Sequence, residues 1–370
     1  MKTQKPHKIS GAIQTMSKSH FSLKDVAKEA EVSSTTISRY LNGTLRLPDS
    51  TSDRINKAVK KLRYHPNPHA RRLSLGKSEQ IALILPDLAN PFFAKLAASI
   101  ERAAAEYGAM VSLHATSNKD LRELAALRCA ADDRVESLIF MTNRLPSKEV
   151  AEELSNFKRV VLLDEDVPGV SAPRLLCDNK MGGVLAGMHL KDLGHRHVAY
   201  FGGGRDLLST QTRLEGLRLG LCNDKVSVPN IALFVGDHSI SSGQNLAKEF
   251  LDKADQETAI FSGSDEITVG VLEIFEERGI RIPEDFSLIS FDNAHSLHLF
   301  SPSITSVSQP VEALGHRAVQ ILSSEAWEQP DHDHIKEIMP VKLIKRNSVV
   351  PPANYKKTGK SANRKTIDTT

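Results

Sequence analysis

The sequence predicts an all-α helix-turn-helix head followed by an α/β core of two doubly wound parallel-sheet lobes. Three short amphipathic stretches at helical period occupy residues 21–67. From residue 79 onward, short apolar runs alternate with amphipathic stretches, the rhythm of strands covered by helices on both faces of a parallel sheet. Seven such runs and a further strand-like piece near 338–346 are many for one sheet, so the core divides in two.

In the head, Leu23, Val26, Ala27 and Ala30 stand at i, i+3, i+4 and i+7, one face of a short helix. Ser22 takes its N-cap, and Asp25 three residues on completes the spacing of a capping box. A second helix follows the cap candidate Ser33, with Ile37 and Leu41 on a shared face. The third carries Ile55, Ala58, Val59 and Leu62 at the same spacing, with Asp49 or Ser50 as its cap, before Pro66 and Pro68 break the pattern. Residues 1–20 show no periodicity and read as a flexible arm.

The core's apolar runs are 81–85, 110–113, 138–141, 160–163, 198–201, 259–261 and 287–291. Helices are expected near 91–107, 118–132, 181–193, 209–221, 241–251 and 265–278. Residues 79–350 form the core, and 68–78 link it to the head. From Pro351 the chain is Lys, Ser, Asn and Thr with almost no apolar residue, so 351–370 reads as a disordered basic tail.

Charge is unevenly placed. The net +3 conceals +11 over residues 1–78, where 16 Lys and Arg face 5 Asp and Glu, and −8 over the remainder. A basic head on an acidic body suits a module for polyanions, although by charge alone a solvated basic arm fits as well. No apolar run reaches the roughly 18 residues of a membrane helix. The N-terminus is basic but lacks the apolar stretch of a secretory signal. Cys129, Cys177 and Cys222 are scattered without motif spacing, which argues for a reducing compartment, and the chain is read as cytoplasmic.

Two short helices joined tightly and supported by a third form the smallest unit that can present a helix to the DNA major groove. The outer face of the second helix carries Ser34, Thr35, Thr36, Ser38, Arg39 and Asn42. Hydroxyls, an amide and a guanidinium suit base edges and phosphates; a Ser/Thr-rich segment is, taken alone, equally a solvated helix end. The residues in order break that tie. Leu23 to Ala30, then Val32 and Ser33, then Thr36, Ile37, Ser38, Arg39, Tyr40, Leu41 and Asn42 closely resemble the DNA-binding signature of the lactose-repressor (LacI/GalR) family. Arg54 and Ile55, the run from Tyr64 to Asn67, and Ala70 to Leu73 continue in its order. In the core, Asn90 to Phe93, Asp178 and Asn179, Gly194 to Arg196, and Asp292 and Asn293 match its landmarks. The resemblance runs from about Phe21 to Arg346.

By position, the resemblance implies that Ser34, Thr35 and Arg39 face bases, while Thr36, Ser38 and Asn42 hold phosphates. Glu31 departs from it, standing in the turn where glycine is usual; a positive φ there costs about 1 kcal/mol. The turn is therefore expected to be altered, not abolished. Residues 68–76 resemble the family's hinge. There Leu73 would wedge a base step open from the minor groove, Ala70 would pack beside it, and Arg71 and Arg72 would favour the narrow groove.

For the core, the resemblance implies the fold of periplasmic sugar-binding proteins (type I), with a small-molecule effector in the cleft between the lobes. Doubly wound sheets bind ligands outside the carboxyl ends of their strands, and several polar residues fall there. The effector candidates are Phe92, Phe93, Asp164, Ser209, Arg213, Asp265 and Asp292. Carboxylates and a guanidinium with an apolar face suit a sugar or sugar derivative. Asp265 is equally a good first-turn helix residue. Ser264 stands where asparagine is common in sugar binders, and His238 where several members have a stacking aromatic, so the effector stays open.

No cofactor or metal is implied. Gly202, Gly203 and Gly204 lack the spacing of a dinucleotide or P-loop motif, and Asp331 to His334 read as a solvated loop. No nucleophile and base stand out, and catalysis is not indicated. The expected partners are operator DNA, the effector and a second copy of the chain, in a transcriptional regulator, most simply a repressor. A cytosolic solute-binding receptor is the alternative; it leaves the basic head unexplained.

Overall fold

The computed structural model describes residues 22–41, 45–62, 64, 80–222, 231–294, 296–324, 327 and 335–352. They belong to two compact units, one ending at residue 77 and one beginning at residue 78.

In the first unit, α1 (Leu23–Ala30), α2 (Ser34–Leu41) and α3 (Asp49–Lys61) close on a core of Val26, Ala27, Ala30, Ile37, Ile55 and Ala58. The capping box forms: Asp25 N–H donates to Ser22 Oγ at 3.4 Å, and Ser22 N–H to Asp25 Oδ2 at 2.8 Å. Glu31 ends α1 in the left-handed region, φ 54° and ψ 42°, so the tight turn is made despite the missing glycine. Ser33 Oγ accepts from Thr36 N–H at 3.1 Å. Neither expected cap serves α3; Pro48 occupies that position without a side-chain bond, and Asp49 lies in the first turn. A carboxylate there is stabilised by the exposed helix N–H groups.

The second unit opens with β1 (Gln80–Leu85), α4 (Pro91–Glu106), β2 (Met110–Ala115), α5 (Asp120–Asp132) and β3 (Ser137–Phe140). Then come α6 (Lys148–Ser155), β4 (Arg159–Leu163) and β5 (Arg174–Cys177). The chain passes to the second lobe with α7 (Asn179–Asp192), β6 (Val198–Gly202), α8 (Leu208–Leu221) and β7 (Ile231–Val235). There follow α9 (Ile240–Lys253), β8 (Ala259–Ser262), α10 (Asp265–Arg278), β9 (Ser287–Asp292) and β10 (Thr305–Ser308). It ends with α11 (Val311–Ser323), β11 (Lys336–Met339) and β12 (Lys342–Ile344).

Two six-stranded sheets result, β11-β5-β4-β3-β1-β2 and β12-β10-β9-β8-β6-β7. Each has apolar clusters on both faces. Ile81, Leu83 and Leu85 of β1 enter one and Ala82 and Ile84 the other, the period-2 alternation of a strand. Where the sequence suggested one strand near 338–346, two short ones stand in different sheets. Pro340 lies between them; it has no N–H for a ladder and separates the pairings. β12 pairs antiparallel with β10, so the second sheet is not parallel throughout. The sequence reading also left out β5, β7, β10, α6 and α11. β10 reads as polar, Thr-Ser-Val-Ser, yet Thr305 and Ser306 are fully buried; Thr305 N–H donates to Ser348 Oγ at 2.8 Å.

Cys129, Cys177 and Cys222 are free thiols, and no helix among the described residues is long and apolar enough to cross a membrane.

Candidate nucleic-acid interface and effector cleft

The second helix of the head has a single buried residue, Ile37. Away from it, Thr35 and Arg39 are exposed, one turn apart, and Ser34, Thr36 and Ser38 are half-buried. Ser33 and Thr36 hydroxyls lie 2.8 Å apart, so Thr36 also takes part in fixing the helix start. Asn56 Nδ2 donates to Tyr40 Oη at 3.2 Å, pinning α2 to α3. The helix is held from its inner side and leaves short polar groups outward, a geometry that can reach base edges. Of the sequence-derived contacts, Asn42, Ala70, Arg71 and Leu73 lie outside the described residues, as do Arg72 and the Asp331 to His334 stretch.

In the core, one narrow cavity is lined by Asn90, Phe92, Phe93, Asn143 and Asp164 of the first lobe and Ser209, Arg213, His238, Ser264 and Asp292 of the second. The free space among these residues is about 290 Å³ with the open solvent at its mouth included, and about 20 Å³ of it admits the centre of a water-sized molecule. Each group sits where its element puts it. Asn90 caps α4, accepting from Phe92 N–H at 2.9 Å, with Pro91 preset for the first helical position. Phe92 and Phe93 pack edge to face, ring centres 5.1 Å apart. Asp164 follows β4 and Asp292 ends β9, with φ of 74° and 89°. Left-handed backbone at a non-glycine residue costs about 1 kcal/mol, and strain of this kind collects at binding sites.

Arg213 is buried on α8. Its Nε donates to Asn179 Oδ1 at 2.7 Å, Nη1 donates to the Gly263 carbonyl, and the guanidinium stacks 3.7 Å from the centre of the Phe291 ring. Burial alone would lower its pKa, but Asp292 foremost, with Cys177, Tyr200 and Asp164, leaves it raised, so the charge is retained. Asp292 Oδ1 accepts from Gln309 Nε2 at 2.7 Å. Burial lifts the Asp164 carboxyl to about 7, against the pull of Arg213. Desolvation holds the His238 imidazole down at about 3, and Arg213 adds to it.

Six of the seven effector candidates, Phe92, Phe93, Asp164, Ser209, Arg213 and Asp292, thus meet at one cavity. Asp265 does not. It is buried in the second lobe, with Oδ1 accepting from Ser290 Oγ at 2.7 Å and Oδ2 from Ala294 N–H at 2.6 Å. Ser264 caps α10 through Ile267 N–H and lines the cavity in its place. Asn143 was missed, although its place after β3 obeys the strand-end rule that found Asp164. Glu165 was missed too: its carboxylate is buried and accepts from Ser209 Oγ at 2.6 Å and Leu208 N–H at 2.9 Å. Only the approach of the two lobes makes that visible. Among the described residues no group of three or more His, Cys, Asp or Glu is placed to hold a metal ion.

Residues 22–67 match the model of bacterial regulatory proteins of the lacI family, and 188–349 that of the periplasmic binding protein-like domain. The transcriptional regulator DegA of Bacillus subtilis is 30% identical over 333 residues, spanning 88% of this chain and 97% of DegA. The transcriptional repressor PurR of Klebsiella pneumoniae is 29% identical over 340 residues, spanning 90% and 99%. Among solved structures, the lac repressor dimer bound to operator and the anti-inducer ONPF matches with a TM-score of 0.76 at 25% identity, over 90% of this chain and 99% of that one. A LacI family regulator of Enterococcus faecium with bound ribose matches with a TM-score of 0.63 at 27% identity, over 74% and 99%. With a helix-turn-helix head, a two-lobed core and these relatives, the chain belongs to the LacI family and is a DNA-binding transcriptional regulator.

Proposed function

We propose that this regulator binds a pseudo-palindromic DNA site as a homodimer and that a sugar-like effector in the core cavity sets its affinity for that site. The outward face of α2 carries the proposal: Thr35 and Arg39 exposed, with Ile37 alone buried behind them. Ser34, Thr35 and Arg39 read bases; Thr36, Ser38 and Asn42 hold phosphates. Ala70, Arg71 and Leu73 enter the minor groove between the half-sites, where an apolar wedge kinks the duplex.

Phe92, Phe93, Asp164, Ser209, Arg213 and Asp292 bind the effector, with Asn143 and Ser264 adding polar contacts. Their place on both lobes supports control by lobe closure, because a ligand gripping both halves favours whichever arrangement brings them together. For the second copy, support comes from a groove along α10, where Val269 and Leu272 lie beside exposed Phe300 and the charged Glu273, Glu276 and Arg281 rim it. The lac repressor, similar in fold, was solved as a dimer on operator DNA.

The test selects duplexes from a random pool with the full chain and measures binding across salt concentrations. A two-fold symmetric consensus is expected, with affinity falling steeply as salt rises. Retention of random and selected duplexes alike would overturn the proposal.

A further inference from the structure

The cavity has more anions than cations among its lining residues. Asp164 and Asp292 face a single guanidinium, Arg213. That guanidinium is already committed to Asn179, Gly263 and the Phe291 ring, and Asp292 is its foremost charge partner. His238 is neutral, its pKa depressed by burial. Lys95, on the helix that carries Phe92 and Phe93, donates to the Ala294 carbonyl and is not among the lining residues. Glu165, next in sequence to Asp164, is satisfied by Ser209 and Leu208.

Asp164 is the remainder. Its carboxyl lines the cavity, and Oδ1 is sealed from solvent without a hydrogen-bond partner. A buried acid oxygen without a donor is costly, and the backbone at Asp164 holds it there in a left-handed conformation. Burial raises its pKa to about 7; Asp292 and Glu165 add to that rise and Arg213 opposes it.

We propose that the effector is a polyhydroxylated cation, such as an amino sugar, whose protonated nitrogen donates to Asp164 while its hydroxyls meet Asp292 and Arg213. The proposal rests on the effector reading above and narrows it. An ammonium brings charge and three donors to an acid with one oxygen unpartnered, whose charge neighbour Arg213 is engaged foremost by Asp292. A sugar acid or sugar phosphate would instead add an anion beside Asp164 and Asp292.

The test titrates the full chain at pH 7, where the amines are mostly protonated, with matched pairs: glucosamine and glucose, galactosamine and galactose, mannosamine and mannose. Gluconate and glucose 6-phosphate serve as anionic probes. At least one amine is expected to bind about tenfold more tightly than its hydroxyl partner, the size of one charge-assisted hydrogen bond. Asp164→Asn should bring that pair to within about twofold. If the variant does not fold, the preference of the parent protein decides alone. A neutral or anionic probe binding as tightly as every amine, a preference that survives Asp164→Asn, or silence from all three amines overturns the inference. Retention on selected duplexes, followed in the same samples, separates the two readings. A neutral sugar that shifts retention removes the amine and keeps the effector; an amine that binds without shifting retention keeps the amine site and removes its regulatory role.

Discussion

Ser209 Oγ donates to Glu165 Oε2 at 2.6 Å, joining the first turn of the second-lobe helix α8 to the second residue after the first-lobe strand β4. The same carboxylate accepts from the backbone N–H of Leu208 at 2.9 Å. A buried acid thus caps α8 from the opposite lobe, where an exposed helix N-terminus favours negative charge. Burial raises the Glu165 pKa, and the Ser209 bonds work against that rise.

Replacing this acid strands the donors it serves. Glu165→Ala is expected to lower the stability of the full chain by about 2 kcal/mol, the cost of leaving buried donors unpaired. Glu165→Gln, which keeps an acceptor, should lose less. Urea unfolding of the three proteins checks this, and an alanine variant as stable as the parent would show that the cross-lobe bonds carry no weight.

Asp164 gives stability a definite pH dependence. Its folded-state pKa of about 7 lies above the ordinary 3.8, so the folded chain keeps a proton that the unfolded chain releases. That contribution is complete below the unfolded value and is lost as pH rises through the folded one. Asp164→Asn is therefore expected to match the parent near the unfolded pKa and exceed it above the folded one, by on the order of 4 kcal/mol. Thermal unfolding of both proteins across that range is the measurement; a stability difference that does not vary with pH contradicts it.

Close helix packing in the second lobe depends on missing side chains. A Cβ on Gly216 of α8 would stand 1.9 Å from the Lys180 carbonyl oxygen of α7, whereas one on Gly204 would meet nothing nearer than Leu207 Cγ at 3.5 Å. Gly216→Ala should destabilise by about 3 kcal/mol because backbone must move. Gly204→Ala should fall within about 0.5 kcal/mol of the parent. Equal melting temperatures for the two variants would rule out the close contact.

The two ends of α2 should separate affinity from selectivity. Ser33→Ala removes the hydroxyl that accepts from Thr36 N–H and is expected to cost the head about 1 kcal/mol, weakening all duplexes alike. Arg39→Ala should instead relax discrimination at one base pair by about 1–3 kcal/mol and leave the core's unfolding unchanged. Binding to a set of single-base operator variants distinguishes them. An Arg39→Ala profile parallel to that of the parent would remove Arg39 from base reading.

The sequence by itself determined the head, because everything that makes it is local. Ser22 and Asp25 cap a helix three residues apart, and Val26, Ala27, Ala30 and Ile37 fall on the buried faces that their spacing demands. It also determined the alternating core and six of its cavity residues, since strand ends mark ligand positions in doubly wound sheets and the family resemblance carried the positions across. Tertiary structure decided what depends on partners distant in the chain. β10 is a strand because its hydroxyl-rich segment pairs with β9 on one side and β12 on the other, and Ser348 Oγ takes the Thr305 N–H. Asp265 leaves the cavity because Ser290 and Ala294 claim both of its oxygens. Glu165 and Asp164 are adjacent and chemically alike; only the meeting of two lobes satisfies one and leaves an oxygen of the other without a partner. Hydrogen-bond satisfaction is a property of the space around a group, and that space is assembled from residues far apart in sequence.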